Sequence, residues 1–289
     1  MNEKNAACIR LIGNALVDRV MILDRYPRED EELRARGFQR RSGGNACNSA
    51  RWLARHGHRV ELVAALAEDA EARWLEDRLR SEGVDLSRCQ RHSRGVTPLS
   101  SVWLAEQGAS RTIVHYRDLP ELTLSHLRSL PADGVDWLHL EGRNCETLAS
   151  WLMESKPPRE RLSLELEKPR PGLEDLLDRI SLGILSRAYV QKIGEDAREC
   201  LLRLQHRRPW LQLVCTMGAE GLLLLDAGGV PKRLPAPRVI ENGDSLGAGD
   251  VFIAALVAAR SRGCGLEEAA DEAQRAAAHH LEYGEERSP

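Results

Sequence analysis

The stretch Asp244-Ser245-Leu246-Gly247-Ala248-Gly249-Asp250 leads directly into an apolar run, residues 251–259, with the composition of a buried helix. Glycines at a helix start let backbone N–H groups turn toward one point, where the positive end of the helix dipole favours an anion. A carboxylate in the first turn can take a proton from an attacking alcohol beside that point. The pattern therefore predicts an anion hole and an adjacent catalytic base, formed by Gly247, Ala248, Gly249 and Asp250.

A purely structural explanation of this stretch is also open. Glycines can simply shape a tight turn, and aspartate is a favoured helix-capping residue.

The sequence excludes two other phosphate-binding motifs at this stretch. The dinucleotide fingerprint needs glycine or alanine three places after Gly249, where Phe252 stands, and the Walker loop needs a Gly-Lys pair, which the sequence lacks.

Composition excludes several classes of protein. The net charge of −3 comes from interspersed acidic and basic residues, so no basic stripe is present for nucleic acid. Seven cysteines are scattered singly, which favours free thiols in a reducing compartment. The apolar runs are too short to span a bilayer. We expect a cytoplasmic protein that binds neither nucleic acid nor membrane.

Short apolar runs alternate with amphipathic stretches over most of the 289 residues. The runs predict buried strands at 7–12, 60–65, 135–140, 162–166, 182–185 and 211–215. Helices are predicted between them at 46–55, 71–81, 146–154 and 196–205. Such alternation predicts one α/β domain, 1–289, with a parallel sheet covered on both faces and ligands beyond the carboxyl ends of the strands.

Two regions interrupt this alternation. Residues of about 15–40 and 95–117 are rich in β-forming side chains, with Gly108 at a predicted hairpin turn. They predict a small separate sheet inserted into the main domain. Such a sheet can act as a lid over a small substrate, or it can pair with its copy in a dimer.

A second glycine turn, Gly43-Gly44, precedes Asn45 and Asn48, which stand three apart on one side of a predicted helix. Asparagine amides offer both donors and acceptors, as the recognition of sugar hydroxyls requires. The alternative is an asparagine cap after a glycine turn.

Other candidates are individually weaker. Asp18 follows the first strand and the Gly13-Asn14 turn, where a carboxylate can accept two hydroxyls, but it can equally be a solvated loop residue. Arg111 begins a strand of the predicted lid and is either a phosphate contact or a surface arginine. The turn 216–221 follows a strand and can line a nucleotide pocket or be a plain β-turn.

Two pairs are interpreted as structural. His279 and His280 are adjacent in a late helix and face different directions, so they cannot form one metal-binding face. Glu165 and Glu167 alternate along a strand and are expected to form a salt-bridged edge.

Taken in order, Asp18, Gly44-Asn45, Asn48, Arg111 and the 247–250 signature resemble the ribokinase-like (PfkB) carbohydrate kinases. Several short segments are similar in particular to the ketohexokinase (hepatic fructokinase) branch of this family. They are residues 24–30, 111–114, 137–144, 165–170 and 237–239. The resemblance covers nearly the whole chain. It implies a Rossmann-like sheet with a β lid, and ATP-dependent phosphorylation of a ketohexose such as fructose at its 1-hydroxyl.

The resemblance also implies roles for residues. Asp250 matches the catalytic base, and the positions that match sugar-binding residues are Asp18, Asp30, Gly44, Asn45 and Asn48. The positions that match nucleotide-binding residues are Arg111, Gly218, Ala219, Glu220, Gly221, Gly247, Ala248 and Gly249. Family members use Mg²⁺ with ATP, are commonly helped by K⁺, and often form homodimers through the lid.

The sequence departs from the family pattern at several places. The usual Asn-x-x-Glu motif that organises magnesium is replaced by Ser186-Arg187-Ala188-Tyr189, so the metal ligands stay unassigned. Three residues at 241–243 look inserted before the signature, Ser245 replaces threonine, and Ser110 replaces asparagine. A kinase for another sugar or a nucleoside, and a sugar-binding regulator without catalysis, are the alternatives.

Overall fold

The computed structural model describes residues 7–107, 110–131, 133–238 and 246–284. Its centre is a sheet of nine strands: β1 (Cys8–Ile12), β4 (Arg59–Val63), β6 (Val84–Asp85), β10 (Trp137–Leu140), β11 (Leu162–Leu166), β12 (Leu182–Ser186), β13 (Gln212–Thr216), β14 (Leu222–Leu225) and β15 (Lys232–Leu234). The strand order is β15-β14-β13-β12-β11-β10-β1-β4-β6. The strands from β13 to β6 are parallel, and β14 and β15 extend one edge in antiparallel fashion.

Helices cover both faces of this sheet because alternate strand residues point to opposite sides. Ile9 and Leu11 join one core with α1 (Asn45–Arg55), α2 (Ala70–Ser81), α8 (Ala248–Ser261) and α9 (Leu266–Tyr283). Ile12 and Leu140 join the other core, with α3 (Leu124–Arg128), α4 (Cys145–Ser155), α5 (Leu173–Leu176), α6 (Arg187–Ile193) and α7 (Ala197–His206). The predicted doubly covered α/β sheet is confirmed.

One predicted strand, 60–65, is wrong in its extent. The chain leaves the central sheet at Val63, and a short strand β5 (Ala65–Ala67) pairs instead with β7 (Gln90–His92). The reason is a change of hydrogen-bonding partner: the carbonyl of Val63 accepts from Gly13, whereas the carbonyl of Ala64 accepts from Gln90.

The small separate sheet is present. Its strands are β2 (Leu16–Leu23), β3 (Gly37–Gly43), β8 (Leu99–Ala105) and β9 (Ser110–Tyr116), in the order β3-β2-β8-β9. We call it the lid sheet. β8 and β9 are antiparallel, and the predicted turn residue Gly108 lies outside the described residues.

A bilayer-crossing helix would need both length and apolar character, and no helix in the described part of the chain has both.

Candidate active site

The start of α8 is built as the sequence pattern predicts. Gly247 has a φ of 84°, a left-handed conformation that glycine adopts without strain, and α8 begins at Ala248. Within the described residues no side chain caps this helix, so its first N–H groups remain as donors for an anion. Leu246, next to Gly247, is held by α9, because His280 Nε2 lies 2.9 Å from the carbonyl oxygen of Leu246. Asp244 and Ser245 of the signature lie outside the described residues.

Asp250 is positioned by α1, which packs against α8. Asn48 Nδ2 donates to Asp250 Oδ2 at 2.8 Å, and Ser49 Oγ donates to the backbone oxygen of Asp250 at 2.9 Å. Burial is the largest cause that raises the pKa of Asp250, and the carboxylates of Glu141, Glu167 and Asp18 also raise it. The hydrogen bond from Asn48 lowers the pKa, and the net value is about 8. A carboxylate with a raised pKa is a stronger base toward an alcohol proton.

Gly44 sets the direction in which α1 begins. Its φ is 99°, and a Cβ at this position would lie 2.5 Å from the backbone oxygen of Asn14. Only glycine allows the two segments to approach this closely. Asn45 and Asn48 then follow on the first turn of α1, and both face the same cavity.

This cavity, of about 620 Å³, lies beyond the carboxyl ends of the central strands and under the lid sheet. We call it the polar cavity. Its wall brings together most of the residues that the sequence singled out, namely Asp18, Gly44, Asn45, Asn48, Arg111, Gly247, Gly249 and Asp250. The lid sheet contributes Asp18 from β2 and Arg111 from β9, with Ser100 and His115 on the same face of the sheet.

Two predicted residues line neither this wall nor the second cavity described below. Asp30 is exposed in the loop between β2 and β3, with a φ of 59°, and is not among the residues of the polar cavity. Glu220 is exposed and pairs with Arg187 and Arg233 on the surface.

The other residues of the 218–221 turn line a second cavity of about 350 Å³, which we call the apolar cleft. Its wall is formed largely by Gly218, Ala219, Gly221, Leu222, Ala236, Pro237, Ala248, Gly249, Phe252, Ala277, Ala278 and Leu281. Gln274 also lines the cleft, and its Oε1 is buried without a hydrogen-bond partner. Gly249 belongs to both cavities, so they meet at the start of α8.

The interpretation of Glu165 as part of a salt-bridged edge is wrong. β11 is a central strand rather than an edge, and Glu165 is only 7% exposed within the polar cavity. Asn45 Nδ2 donates to its Oε1 at 2.8 Å, while its Oε2 is buried without a partner. Burial raises the pKa of Glu165 well above its ordinary value, and Glu141, Asp250 and Glu167 add to the shift. Glu167 does form an ion pair, at 3.6 Å from Lys168 Nζ.

Sequence reasoning missed two further residues of the polar cavity as candidates. Asn14 and Glu141 are both buried in its wall, and the backbone N–H of Asn14 donates to Glu141 Oε2 at 2.7 Å. Both residues lie within two positions of the carboxyl end of a central strand, Asn14 after β1 and Glu141 after β10, and that position is the signal that could have found them.

Comparisons with known proteins agree with this geometry. The family model described as "pfkB family carbohydrate kinase" matches residues 8–150 and 184–289. The chain belongs to the PfkB family of carbohydrate kinases.

Individual relatives of this PfkB kinase span almost its whole length. Mouse ketohexokinase is 31% identical over 93% of this chain and 93% of its own length. The structure of Arabidopsis thaliana ribokinase complexed with ribose and ATP superposes with a TM-score of 0.76 at 21% identity, covering 96% of this chain and 93% of that one. Ribokinase from Cryptococcus neoformans in complex with ADP gives a TM-score of 0.75 at 22% identity, covering 96% of this chain and 94% of that one. The ribokinase-like fold is thereby established.

Metal ligands are not evident from the side chains. Among the described residues, no group of three or more His, Cys, Asp or Glu side chains is arranged to hold a metal ion. Ser186 and Tyr189, in place of the usual Asn-x-x-Glu motif, serve the fold instead. Ser186 caps α6 by accepting from Tyr189 N–H, and the Tyr189 side chain is buried in the core.

The raised pKa of Asp250 predicts a pH-dependent stability in the absence of ligands. An unfolded aspartate titrates near pH ~4, so the native state binds the extra proton between about pH 4 and about pH 8. The contribution of Asp250 to the free energy of unfolding therefore falls as the pH rises through that window. Asp250→Asn removes the titration, so the variant should gain stability relative to the wild type as the pH rises. Urea unfolding across the window measures this difference, and a difference that stays constant with pH would contradict the assignment.

Proposed function

We propose that this PfkB kinase transfers the γ-phosphoryl group of ATP to the 1-hydroxyl of a ketohexose such as fructose. The observation that carries the proposal is the position of Asp250 in the first turn of α8, where the polar cavity and the apolar cleft meet. An acceptor alcohol in one cavity and a nucleotide in the other would meet beside a base and a set of N–H donors.

The polar cavity has the chemistry of a polyol site. Asp18 supplies a carboxylate, Asn45 and Asn48 supply amides, and Asn48 Oδ1 is buried without a protein partner. A buried acceptor of this kind gains a hydrogen bond when a sugar hydroxyl binds. The identity with mouse ketohexokinase supports a ketohexose as the substrate.

The apolar cleft fits the base of ATP. Its small side chains leave room for a flat ring, and Gln274 Oε1 is an acceptor for an exocyclic amine. The triphosphate would extend toward Gly247, Ala248 and Gly249, with Arg111 on the lid side of the polar cavity. The complex of Arabidopsis ribokinase with ATP supports ATP as the nucleotide.

Magnesium enters with ATP, because Mg²⁺ at such sites is held mainly by phosphate oxygens and water and neutralises the developing charge. The absence of a protein metal cluster among the described residues fits this manner of binding. Family membership also supports activation by K⁺. The inserted residues 241–243 lie outside the described residues.

In the reaction, Asp250 accepts the proton of the sugar 1-hydroxyl while the hydroxyl oxygen attacks the γ-phosphorus, and the bond between the γ-phosphorus and the β–γ bridging oxygen breaks to release ADP. Asn48 holds the carboxylate in place throughout. The N–H groups at the start of α8 donate to the oxygens of the transferring group, where negative charge builds up.

Asp250→Asn keeps the shape of the site but removes the base. We expect kcat to fall by about two to four orders of magnitude, the range for loss of a general base, while sugar binding persists. A coupled ADP-release assay with fructose, tagatose, ribose, 2-keto-3-deoxygluconate and adenosine measures both activity and substrate choice. Asp77→Asn, at an exposed position on α2 outside both cavities, is the matched control and should retain full activity.

The outcomes of this assay separate the candidate functions. Near-normal turnover by Asp250→Asn would contradict the role of Asp250. Preference for ribose or adenosine would assign the kinase to another substrate. Calorimetry that detects fructose binding by a wild type without ATP turnover, with Mg²⁺ and K⁺ present, would indicate a sugar-binding regulator.

We also propose a homodimer formed through the lid sheet. The strand register puts Asp18, Ser100 and His115 on the face toward the polar cavity and Met21, Phe38, Val114 and Tyr116 on the opposite face. Phe38 and Val114 are 60% and 61% exposed. The α2 helix reaches only part of that outer face, through ion pairs of Glu71 with Arg19 and Arg40. An apolar sheet face of this kind is stabilised by pairing with a second copy.

Phe38→Glu combined with Val114→Glu should convert the dimer to a monomer, because the charges would be desolvated at the interface. Sedimentation velocity measures the change. Val230→Glu, at an 80% exposed position outside the lid sheet, is the control and should leave the dimer intact. A monomeric wild type at micromolar concentration would contradict the proposal.

We further place the enzyme in the cytoplasm. All seven cysteines are free in the structure, which suits a reducing compartment.

A further inference from the structure

Asn14 has a fixed backbone in the wall of the polar cavity. It is 6% exposed and lies between β1 and β2. Its N–H donates to Glu141 Oε2 at 2.7 Å, and its carbonyl oxygen accepts from Cys47 N–H at 3.2 Å. The backbone of Asn14 is therefore fixed by two other segments, and the orientation of its side-chain amide depends on the contacts of that amide.

Arg117 decides that orientation. Its Nη1 donates to Asn14 Oδ1 at 2.6 Å. A guanidinium carries donors and no acceptor, so the amide oxygen of Asn14 must face the arginine and the NH₂ group must take the other side. Asn14 can then offer a ligand in the polar cavity only hydrogen-bond donors.

Arg117 is itself held in place from behind. Its side chain is 13% exposed and pairs with Glu121 at 3.1 Å. Glu121 also pairs with Arg143 at 2.9 Å, and Arg143 Nη1 lies 3.6 Å from Glu141 Oε1. These four charged residues form a closed network with Asn14, because Glu141 binds the backbone of Asn14 and Arg117 binds its side chain. Such a closed network restricts rotation of the amide.

We propose that Arg117 is a positioning residue that determines sugar specificity. Arg117 fixes the amide of Asn14, so that the side-chain NH₂ group of Asn14 donates to one oxygen of the bound sugar. This inference rests on the proposed sugar kinase function. The preferred substrate carries an oxygen opposite the side-chain NH₂ group of Asn14. An analogue that lacks this oxygen leaves that NH₂ group without an acceptor. Arg117 does not itself line the polar cavity and acts through Asn14.

The test compares Arg117→Met, Arg117→Lys, Asn14→Ala and the Arg117→Met/Asn14→Ala double variant. For Arg117→Met we expect the KM for fructose to rise about tenfold or more, as for loss of one oriented hydrogen bond in a buried site. The kcat and the KM for ATP should stay within about twofold of wild type. Arg117→Lys should recover part of the loss, since its ammonium can still donate to Asn14 Oδ1. The double variant should be no worse than Asn14→Ala alone, because both changes remove the same interaction.

A panel of monodeoxy fructoses, altered at positions other than the 1-hydroxyl, supplies a second measurement. Wild type should discriminate most strongly against one analogue, and Arg117→Met should lose that discrimination while the other analogues keep their ranking. A purely structural role would lower activity toward all analogues equally. Arg208→Met is the stability control, since Arg208 is a buried arginine paired with Asp178 away from both cavities. It should lower the unfolding midpoint without changing the KM for fructose.

The outcomes distinguish this inference from the function on which it rests. A wild type that phosphorylates no sugar overturns both. If the wild type is active, three results would contradict the role of Arg117 alone. They are a wild-type KM for fructose in Arg117→Met, additive effects of the two single changes in the double variant, and an unchanged ranking of the analogues in Arg117→Met.

Discussion

The hydrogen bond from Asn48 to Asp250 is the interaction on which the rest of the site depends. It joins the first turn of α1 to the first turn of α8, and thereby fixes a carboxylate beside the N–H groups of a helix start. Both helices begin after a glycine with positive φ, Gly44 and Gly247. The glycines allow close approach of backbone and ligand, and the packing of α1 against α8 sets the distance between the two halves of the site.

The polar cavity also concentrates negative charge in a way that a stable core would avoid. Glu141, Glu165, Glu167, Asp18 and Asp250 all line it, and burial with mutual repulsion raises the pKa of Asp250 and Glu165. Buried polar atoms without partners normally cost stability. In the proposed function these atoms accept hydrogen bonds from sugar hydroxyls, so binding of a polyol would offset part of this loss of stability.

Local signals predicted the parts of the site that lie within one short segment. The helix start at 247–250 and the Asn45-Asn48 spacing needed only backbone and helix geometry, and the structure builds both. Glu165 and Asn14 depend on which strands are neighbours, and a single sequence does not state the strand order. A glutamate on a strand is typical of a solvated edge strand. The strand order shows instead that β11, which carries Glu165, is a central strand. Family resemblance named Asp30, which this chain does not bring to the polar cavity.

In the proposed reaction, Asp250 and the amides at the start of α8 act together on one phosphoryl group. A crystal structure with fructose and a non-hydrolysable ATP analogue would show whether they do. We expect the sugar 1-hydroxyl oxygen at about 3 Å from the Asp250 carboxylate, and γ-phosphate oxygens at about 3 Å from N–H groups of residues 247–250. A 1-hydroxyl that contacts another carboxylate, or a γ-phosphate remote from the start of α8, would contradict it.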